Sequence, residues 1–126
     1  MSKQLRIWLF ALLGTLLATS SLLAEGVITM TTFKFVGQTI SMAIEANGNV
    51  TIEGVKELPQ LGEDRKDYTL TSQTVTIRGD VTKLDCSSIG LDSLNVSGCA
   101  TLTKLDCSNN GLPSLNVSGC TALREQ

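Results

Sequence analysis

The chain has 126 residues and a formal net charge of −2 at pH 7, with twelve acidic residues against ten lysines and arginines. This acidic balance is a poor electrostatic match for nucleic acid, so the composition argues against a nucleic-acid partner. The sequence contains no histidine, which removes the usual base of hydrolytic triads and the most common zinc ligand. We therefore predict neither catalysis nor a bound metal or small-molecule cofactor.

The N-terminal segment has the organisation of an export signal. Two basic residues precede an apolar run over residues 7–18, which is short for a spanning helix of about 20 residues, and the small residues Thr19, Ser20, Ser21 and Ala24 follow. We predict residues 1–24 to be a signal peptide cleaved after Ala24, with a cut after Ser20 as an alternative. An uncleaved membrane anchor and a buried core helix stay open. The signal peptide predicts a secreted or cell-surface protein, extracellular or at the outer membrane.

Residues 25–80 are predicted to form a β-rich N-terminal cap. Threonine, valine and isoleucine are frequent there, and apolar and polar residues alternate with a period of two. The predicted strands lie near residues 28–35, 39–46, 49–55 and 74–78. Asn47-Gly48 separates two of them and predicts a β-hairpin, because a tight hairpin turn favours positive φ at both central positions. The charged segment 62–67 is predicted to be an exposed, solvated turn.

The C-terminal part of the sequence is an internal repeat. Residues 84–104 and residues 105–125 align without a gap and are identical at 14 of 21 positions. Repeats of this length with leucines at fixed offsets are typical of solenoids in which each unit contributes one short strand to a parallel sheet. We therefore expect residues 81–126 to form two full coils and the beginning of a truncated third.

The second unit follows the pattern L-x-x-L-x-L-x-x-N-x-L, with cysteine in place of the third leucine. The five residues are Leu102, Leu105, Cys107, Asn110 and Leu112, and their counterparts in the first unit are Val81, Leu84, Cys86, Ile89 and Leu91. Alternate strand residues are expected to point into the coil, and Asn110 is expected to satisfy backbone groups where the chain leaves the sheet. The first unit departs from the pattern at Ile89, whose side chain cannot form such hydrogen bonds.

The stretch LDCSNNGLPSLNVSGCTAL resembles the 21-residue, cysteine-bearing leucine-rich repeats of internalin-type bacterial surface proteins and of related Bacteroidetes proteins. The resemblance covers residues 81–126. It implies a mainly β fold in which a β-strand cap is followed by a right-handed solenoid with a concave parallel sheet. It also implies an adhesion protein that binds a protein or glycan ligand on a host or neighbouring cell and catalyses no reaction.

The four cysteines form two columns with the period of the repeat. They are Cys86, Cys99, Cys107 and Cys120, and each is predicted to be a small buried hydrophobic residue of its coil. They lie too far apart along the chain to match the closely spaced cysteine pairs of zinc sites. In-register neighbours on parallel strands point the same way, so we expect free thiols rather than disulfides even in an exported protein.

The outward face of the two repeat strands is the candidate binding surface. If leucine and cysteine point into the coil, the residues between them must point outward onto the concave sheet. These residues are Lys83, Asp85 and Ser87 in the first unit and Lys104, Asp106 and Ser108 in the second. A polar sheet face that serves only solubility is the alternative interpretation, because two coils offer far less than the usual ~800 Å² per partner.

Three functional hypotheses follow from the sequence. The first is a binding module that contacts a protein or glycan through the outward face. The second is that residues 27–80 form a structural β spacer, or that the chain is a non-functional truncated fragment of a larger surface protein. The third is a cysteine-dependent redox enzyme, which would need accessible thiols of low pKa. Because the third coil is incomplete at Gln126 and solenoids usually need about three repeats and a terminal cap, we also expect a longer parent protein.

Overall fold

The structure is a computed structural model that describes residues 26–113 and residue 115. It contains six β-strands, which are β1 (Val27–Thr32), β2 (Thr39–Glu53), β3 (Lys66–Thr69), β4 (Thr74–Asp85), β5 (Leu91–Gly98) and β6 (Lys104–Asp106). These described residues form no helix, and the prediction of a mainly β fold is confirmed. The predicted signal peptide, the third coil and Cys120 lie outside the described residues.

Five strands form an antiparallel sheet in the order β3-β2-β4-β1-β5. The sixth strand, β6, adds to β4 in parallel, and its paired residues, such as Leu84 and Leu105, occupy equivalent positions of the two repeat units. The predicted parallel-strand sheet is therefore wrong for the described part of the chain, where β4 and β6 form the single parallel pair. The edge of β4 on which a preceding parallel coil would lie is instead paired antiparallel with β2, a strand from outside the repeat, with Ala43 opposite Asp85 and Glu45 opposite Lys83. The return limb of the first repeat unit, β5, also pairs antiparallel with β1.

Asn47-Gly48 does not form the predicted hairpin. β2 continues through both residues, and its two halves pair with the same strand, β4. The pairing skips residues 48–50, which form a bulge opposite Gly79. The positive φ of Gly48, +92°, is therefore used in a bulge rather than in a reversal. β4 is long enough to pair with both halves of β2, and this tertiary pairing overrides the local turn preference.

The other strand predictions differ from the structure at their ends. β1 ends at Thr32 rather than near residue 35, and β4 extends from residue 74 to Asp85 rather than to residue 78. The sequence analysis did not predict β3 or β5. β3 begins at Lys66, within the segment expected to be a solvated turn, so that prediction is wrong for residues 66 and 67. Pairing with β2 makes this short charged stretch a strand.

A bulge at Thr82 in β4 determines which side chains face outward in the repeat. The register between β2 and β4 shifts there by one residue, so Thr82 is an extra residue in β4. Without it, strict alternation would place Lys83 on the same face as Val81, which is fully buried. With it, Leu84 lies on the buried face and Lys83 is exposed.

One hydrophobic core contains side chains from the predicted cap and from the repeat. Its buried members are Ile28, Met30, Ile40, Met42, Ile44, Tyr68, Leu70, Val75, Ile77, Val81, Leu84, Cys86, Ile89, Leu91, Leu94, Val96, Cys99, Leu102 and Leu105. The predicted boundary between cap and repeat, at residues 80 and 81, falls inside β4. The two parts therefore share both a strand and a core.

Candidate functional site

Three neighbouring strands bring the predicted binding residues onto one face. Because β4 pairs with β2 and β6 pairs with β4, the side chains form rows across the strands. One row contains Glu45, Lys83 and Lys104, and the next contains Ala43, Asp85 and Asp106. Of the six predicted binding residues, Lys83, Lys104, Asp106 and Ser108 are exposed, and Asp85 and Ser87 are half-buried.

Asp85 and Asp106 each close an identical turn at the end of their strand. Asp85 Oδ1 accepts hydrogen bonds from the backbone N–H of Ser87 at 3.1 Å and from its hydroxyl at 2.7 Å. Asp106 Oδ1 accepts the same two bonds from Ser108, also at 3.1 and 2.7 Å. These four predicted binding residues therefore have a local structural role, because the aspartate satisfies a backbone donor where each strand ends.

Arg65 binds the first of these two turns. Its Nη1 donates to Asp85 Oδ1 at 2.7 Å and to the Ser87 hydroxyl at 2.8 Å. Its Nη2 donates to the carbonyl oxygens of Ser87, at 2.7 Å, and of Ser41, at 2.6 Å. The sequence analysis assigned Arg65 to an exposed turn, and the residue is indeed exposed and precedes β3. The analysis did not predict that its side chain forms these hydrogen bonds. No local pattern indicates a contact with a residue so distant in sequence.

The surroundings of Asp85 favour its charged form. Partial burial raises the pKa of this carboxyl, but the hydrogen bonds from Ser87 and the positive charge of Arg65 lower it more, and the net pKa lies below the ordinary value. Asp85 is therefore an ionised hydrogen-bond acceptor whose partners are already in place.

The loop between β2 and β3 is anchored to both of these strands. Glu57 accepts hydrogen bonds from the backbone N–H of Thr69 at 2.6 Å and from its hydroxyl at 2.7 Å. Further along, the backbone N–H of Gly62 donates to the carbonyl of Ile44 at 2.8 Å. These contacts, together with those of Arg65, hold the loop over the edge of the β2–β4–β6 face.

A pocket of about 370 Å³ lies between this loop and the face. Its lining residues are Ala43, Glu45, Gly62, Glu63, Lys83, Leu84, Asp85, Lys104 and Asp106. Four of the six predicted binding residues are among them, whereas Ser87 and Ser108 are not. The lining has four carboxylates and two ammonium groups, so it carries an excess of negative charge. The sequence analysis missed Glu45 and Glu63, because only strand pairing and the loop path bring them to the repeat.

Asn110 connects the two repeat units through its side-chain amide. Its Oδ1 accepts hydrogen bonds from the backbone N–H groups of Ile89, at 3.1 Å, and Leu91, at 3.0 Å. Its Nδ2 donates to the carbonyls of Cys86, at 3.0 Å, and Cys107, at 3.1 Å. These bonds are of the kind that the sequence predicts for Asn110, and they satisfy backbone groups of both units.

The residues assigned to the coil interior lie in or beside the core. Leu84, Cys86, Cys99 and Leu105 are buried, and Cys107 is half-buried. The three described cysteines are free thiols. Burial is the main cause that raises the pKa of both Cys86 and Cys107, which disfavours the reactive thiolate.

Comparisons with known proteins add no relative. No protein-family model, no curated protein and no solved structure matches the chain. Among residues 26–113 and 115, no group of three or more cysteine, aspartate or glutamate side chains has an arrangement that could hold a metal ion. No helix in this described part is long and apolar enough to cross a membrane.

Proposed function

We propose that the protein is an exported binding module whose partner contacts the outward face of β2, β4 and β6. The observation that carries this proposal is the pocket on that face, lined by Lys83, Asp85, Lys104 and Asp106 and walled by an anchored loop. The pocket volume lies at the lower end of the range of ligand sites, which is about 300–1,000 Å³. The predicted signal peptide makes the protein secreted or surface-attached, where it takes part in adhesion.

The proposal includes stacking of the two 21-residue units on one another. The parallel pairing of β4 with β6 in the register of the repeat supports it. Leu91 and Leu94 are buried, whereas their counterparts one period later, Leu112 and Leu115, are only half-buried. The second unit therefore covers the first, as neighbouring repeats of a stacked array do.

A role without catalysis is part of the proposal. The chain has no histidine to activate a nucleophile. Cys86 and Cys99 are buried, and burial raises the pKa of Cys86. The burial of these thiols and the raised pKa of Cys86 weigh against the cysteine-dependent redox enzyme that the sequence leaves as an alternative.

A protein partner fits the pocket better than a glycan. Sugar rings commonly stack on aromatic side chains, and the lining residues of this pocket include no aromatic residue. The lining instead offers carboxylates and ammonium groups, which complement the charged side chains of a polypeptide.

Cell-binding measurements with the full chain test the proposed function. Fluorescently labelled protein is added to intact epithelial cells and to intact bacterial cells, and bound fluorescence is measured by flow cytometry. We expect saturable binding that the double variant Glu45→Gln/Glu63→Gln weakens about tenfold or more, since each substitution removes a negative charge from the acidic lining. The control Glu53→Gln/Asp64→Asn removes two carboxylates outside the pocket and should bind like the wild type.

The outcomes separate the proposed function from its alternatives. Loss of binding after protease treatment of the cells supports a protein partner, whereas loss after glycosidase treatment alone indicates a glycan. Equal binding by the pocket variant and the control variant would contradict a role for this face and favour the structural spacer.

A further inference from the structure

The structure contains an internal example of how the repeat turn binds a guanidinium group. Arg65 places one nitrogen between the carboxylate of Asp85 and the hydroxyl of Ser87, and a second nitrogen against the Ser87 carbonyl. A planar guanidinium with several fixed donors suits this set of oxygens, whereas an ammonium group would reach fewer of them at once. The first turn is therefore occupied by a side chain of the same chain.

The second repeat turn has the same acceptor pair. Asp106 Oδ1 holds the backbone N–H and the hydroxyl of Ser108 at the distances seen in the first turn. Both arginines of residues 26–113 are engaged elsewhere, since Arg65 contacts Asp85 and Arg78 contacts Glu53. Asp106 and Ser108 are also exposed, so an incoming side chain can reach them.

The charge around the second turn favours a cationic occupant. Asp106 lines the pocket together with three further carboxylates, Glu45, Glu63 and Asp85. The two lining lysines do not balance these four negative charges, and Arg65 offsets only Asp85 directly. Complementary charge directs association and selects between partners, and here it selects a positive side chain.

We propose that Asp106 and Ser108 bind an arginine side chain of the partner protein in the way that Asp85 and Ser87 bind Arg65. The proposal rests on the proposed function, because it names the partner chemistry of the same face. An arginine-bearing polypeptide segment lies along the face, and its guanidinium donates to the Asp106 carboxylate and the Ser108 hydroxyl.

Nuclear magnetic resonance with defined peptides tests this proposal. The probe is acetyl-Gly-Arg-Gly-amide, titrated into the ¹⁵N-labelled full chain, and the matched probe has citrulline, which is neutral and has nearly the shape of arginine. We expect saturable shifts of the Ser108 and Asp106 amide signals with the arginine peptide, and at least about fivefold weaker binding of the citrulline peptide. Equal shifts with both peptides, or shifts elsewhere, would overturn the proposal.

Two variants locate the interaction. Asp106→Asn keeps an oxygen for the turn but removes the charge, and we expect it to weaken binding of the arginine peptide about tenfold. Glu53→Gln removes one negative charge outside the pocket and should leave the affinity unchanged. If Asp106→Asn does not fold, the affinities of the arginine and citrulline peptides for the wild-type chain still test the proposal.

A third variant tests whether the turn of Asp85 and Ser87, which binds Arg65, also binds the arginine peptide. Arg65→Gln vacates the first turn, and the arginine peptide should then also shift the amide signal of Ser87. Absence of this second set of shifts in a folded variant would show that the turn is not the recognition element and would overturn the proposal. The peptide experiment uses no cell or natural partner. If the protein binds the arginine peptide but does not bind cells, the proposed function alone is rejected. If it binds cells but not the arginine peptide, only the arginine site is rejected.

Discussion

A single side chain, Asn110, connects the backbones of both repeat units. Its amide has two donors and a carbonyl oxygen, and all of them are used at the point where the chain leaves the sheet. The corresponding position of the first unit is Ile89, which is buried. The asparagine therefore satisfies polar groups between the units, whereas the isoleucine fills the core below them.

Replacement of Asn110 should destabilise the protein. We expect Asn110→Ala to lower the free energy of unfolding by about 2–3 kcal/mol, because it leaves partly buried backbone groups without partners. The measurement is chemical denaturation followed by circular dichroism. Asn49→Ala, at an exposed position, is the matched control and should change stability by less than about 0.5 kcal/mol. Similar values for both variants would contradict the role of Asn110.

Asp85 should make stability depend on pH in acid. Its pKa is lower in the folded chain than its ordinary value of 3.8, so the unfolded chain takes up the proton first as the pH falls. The stabilisation is complete well above this ordinary value and is lost as the pH falls through the folded-state pKa. Asp85→Asn should therefore be less stable than the wild type at neutral pH, and the difference should shrink in acid.

Urea denaturation over a range of pH values checks this expectation. Asp64→Asn removes a carboxylate at an exposed position of the nearby loop and serves as the control. A stability difference between Asp85→Asn and the wild type that stays constant down to strongly acidic pH would contradict the contribution of the ionised carboxylate.

At the scale of the elements, two bulges in the pairing of β2 with β4 shape the binding face. One skips residues 48–50, and the other adds Thr82 to β4. The first lets β2 continue along β4 instead of reversing, and the second turns Lys83 outward. The carbonyl oxygen of Thr82 then accepts hydrogen bonds from the backbone N–H of Thr103, at 2.7 Å, and from its hydroxyl, at 2.9 Å. The bulge thus also joins the second unit to β4.

The end of β2 should tolerate no side chain at Gly54. This residue has φ +99°, and a Cβ atom there would lie 2.3 Å from the carbonyl oxygen of Thr74. We expect Gly54→Ala to cost several kcal/mol, about 1–2 kcal/mol from the backbone conformation and the rest from the clash. Gly37 is the matched control, because its φ is +96° and a Cβ atom there would meet nothing within 4 Å.

Thermal melting of both variants separates the two contributions. Gly37→Ala should show only the conformational cost, whereas Gly54→Ala should melt at a clearly lower temperature. Equal melting temperatures would mean that β2 and β4 separate easily at this point, contrary to the close approach of their backbones.

At the scale of the whole molecule, one core includes both the predicted cap and the repeat. Ile28 and Met30 of β1 are buried in the same cluster as Leu94 and Val96 of β5. The strands pair antiparallel, so the return limb of the first unit is part of the sheet. We therefore expect residues 26–113 to unfold as one cooperative unit rather than as a cap and a separate solenoid.

The thiols report on this shared core. Cys86 and Cys99 are buried, whereas Cys107 is half-buried. Of the three cysteines that the structure describes, we expect iodoacetamide to modify Cys107 first in the native chain. It should reach Cys86 and Cys99 only after unfolding, because burial restricts access and raises the pKa of the Cys86 thiol. Peptide mapping by mass spectrometry gives the rate for each cysteine. If Cys86 is labelled at the same rate in the native protein as in denaturant, the result would contradict its burial and support the redox-enzyme hypothesis.

The sequence by itself determined the features that depend on local periodicity. The period-two pattern predicts the β class and the cores of β1, β2 and β4, and the 21-residue repeat predicts the register in which Leu84 pairs with Leu105. It also predicts the outward direction of the lysine and aspartate residues, and the bonding of Asn110. These features follow from the alternation of side chains along a strand and from the equal lengths of the two repeat units.

Only the tertiary structure decided the direction of most strands and the composition of the pocket. Strand pairing is non-local, so Asn47-Gly48 can serve equally in a hairpin or in a bulge until β4 is available to pair with both halves of β2. In the same way, Glu45, Glu63 and Arg65 lie far from the repeat in sequence and reach it through strand pairing and one anchored loop. Contacts over such separations depend on the path of the whole chain, which local propensity does not encode.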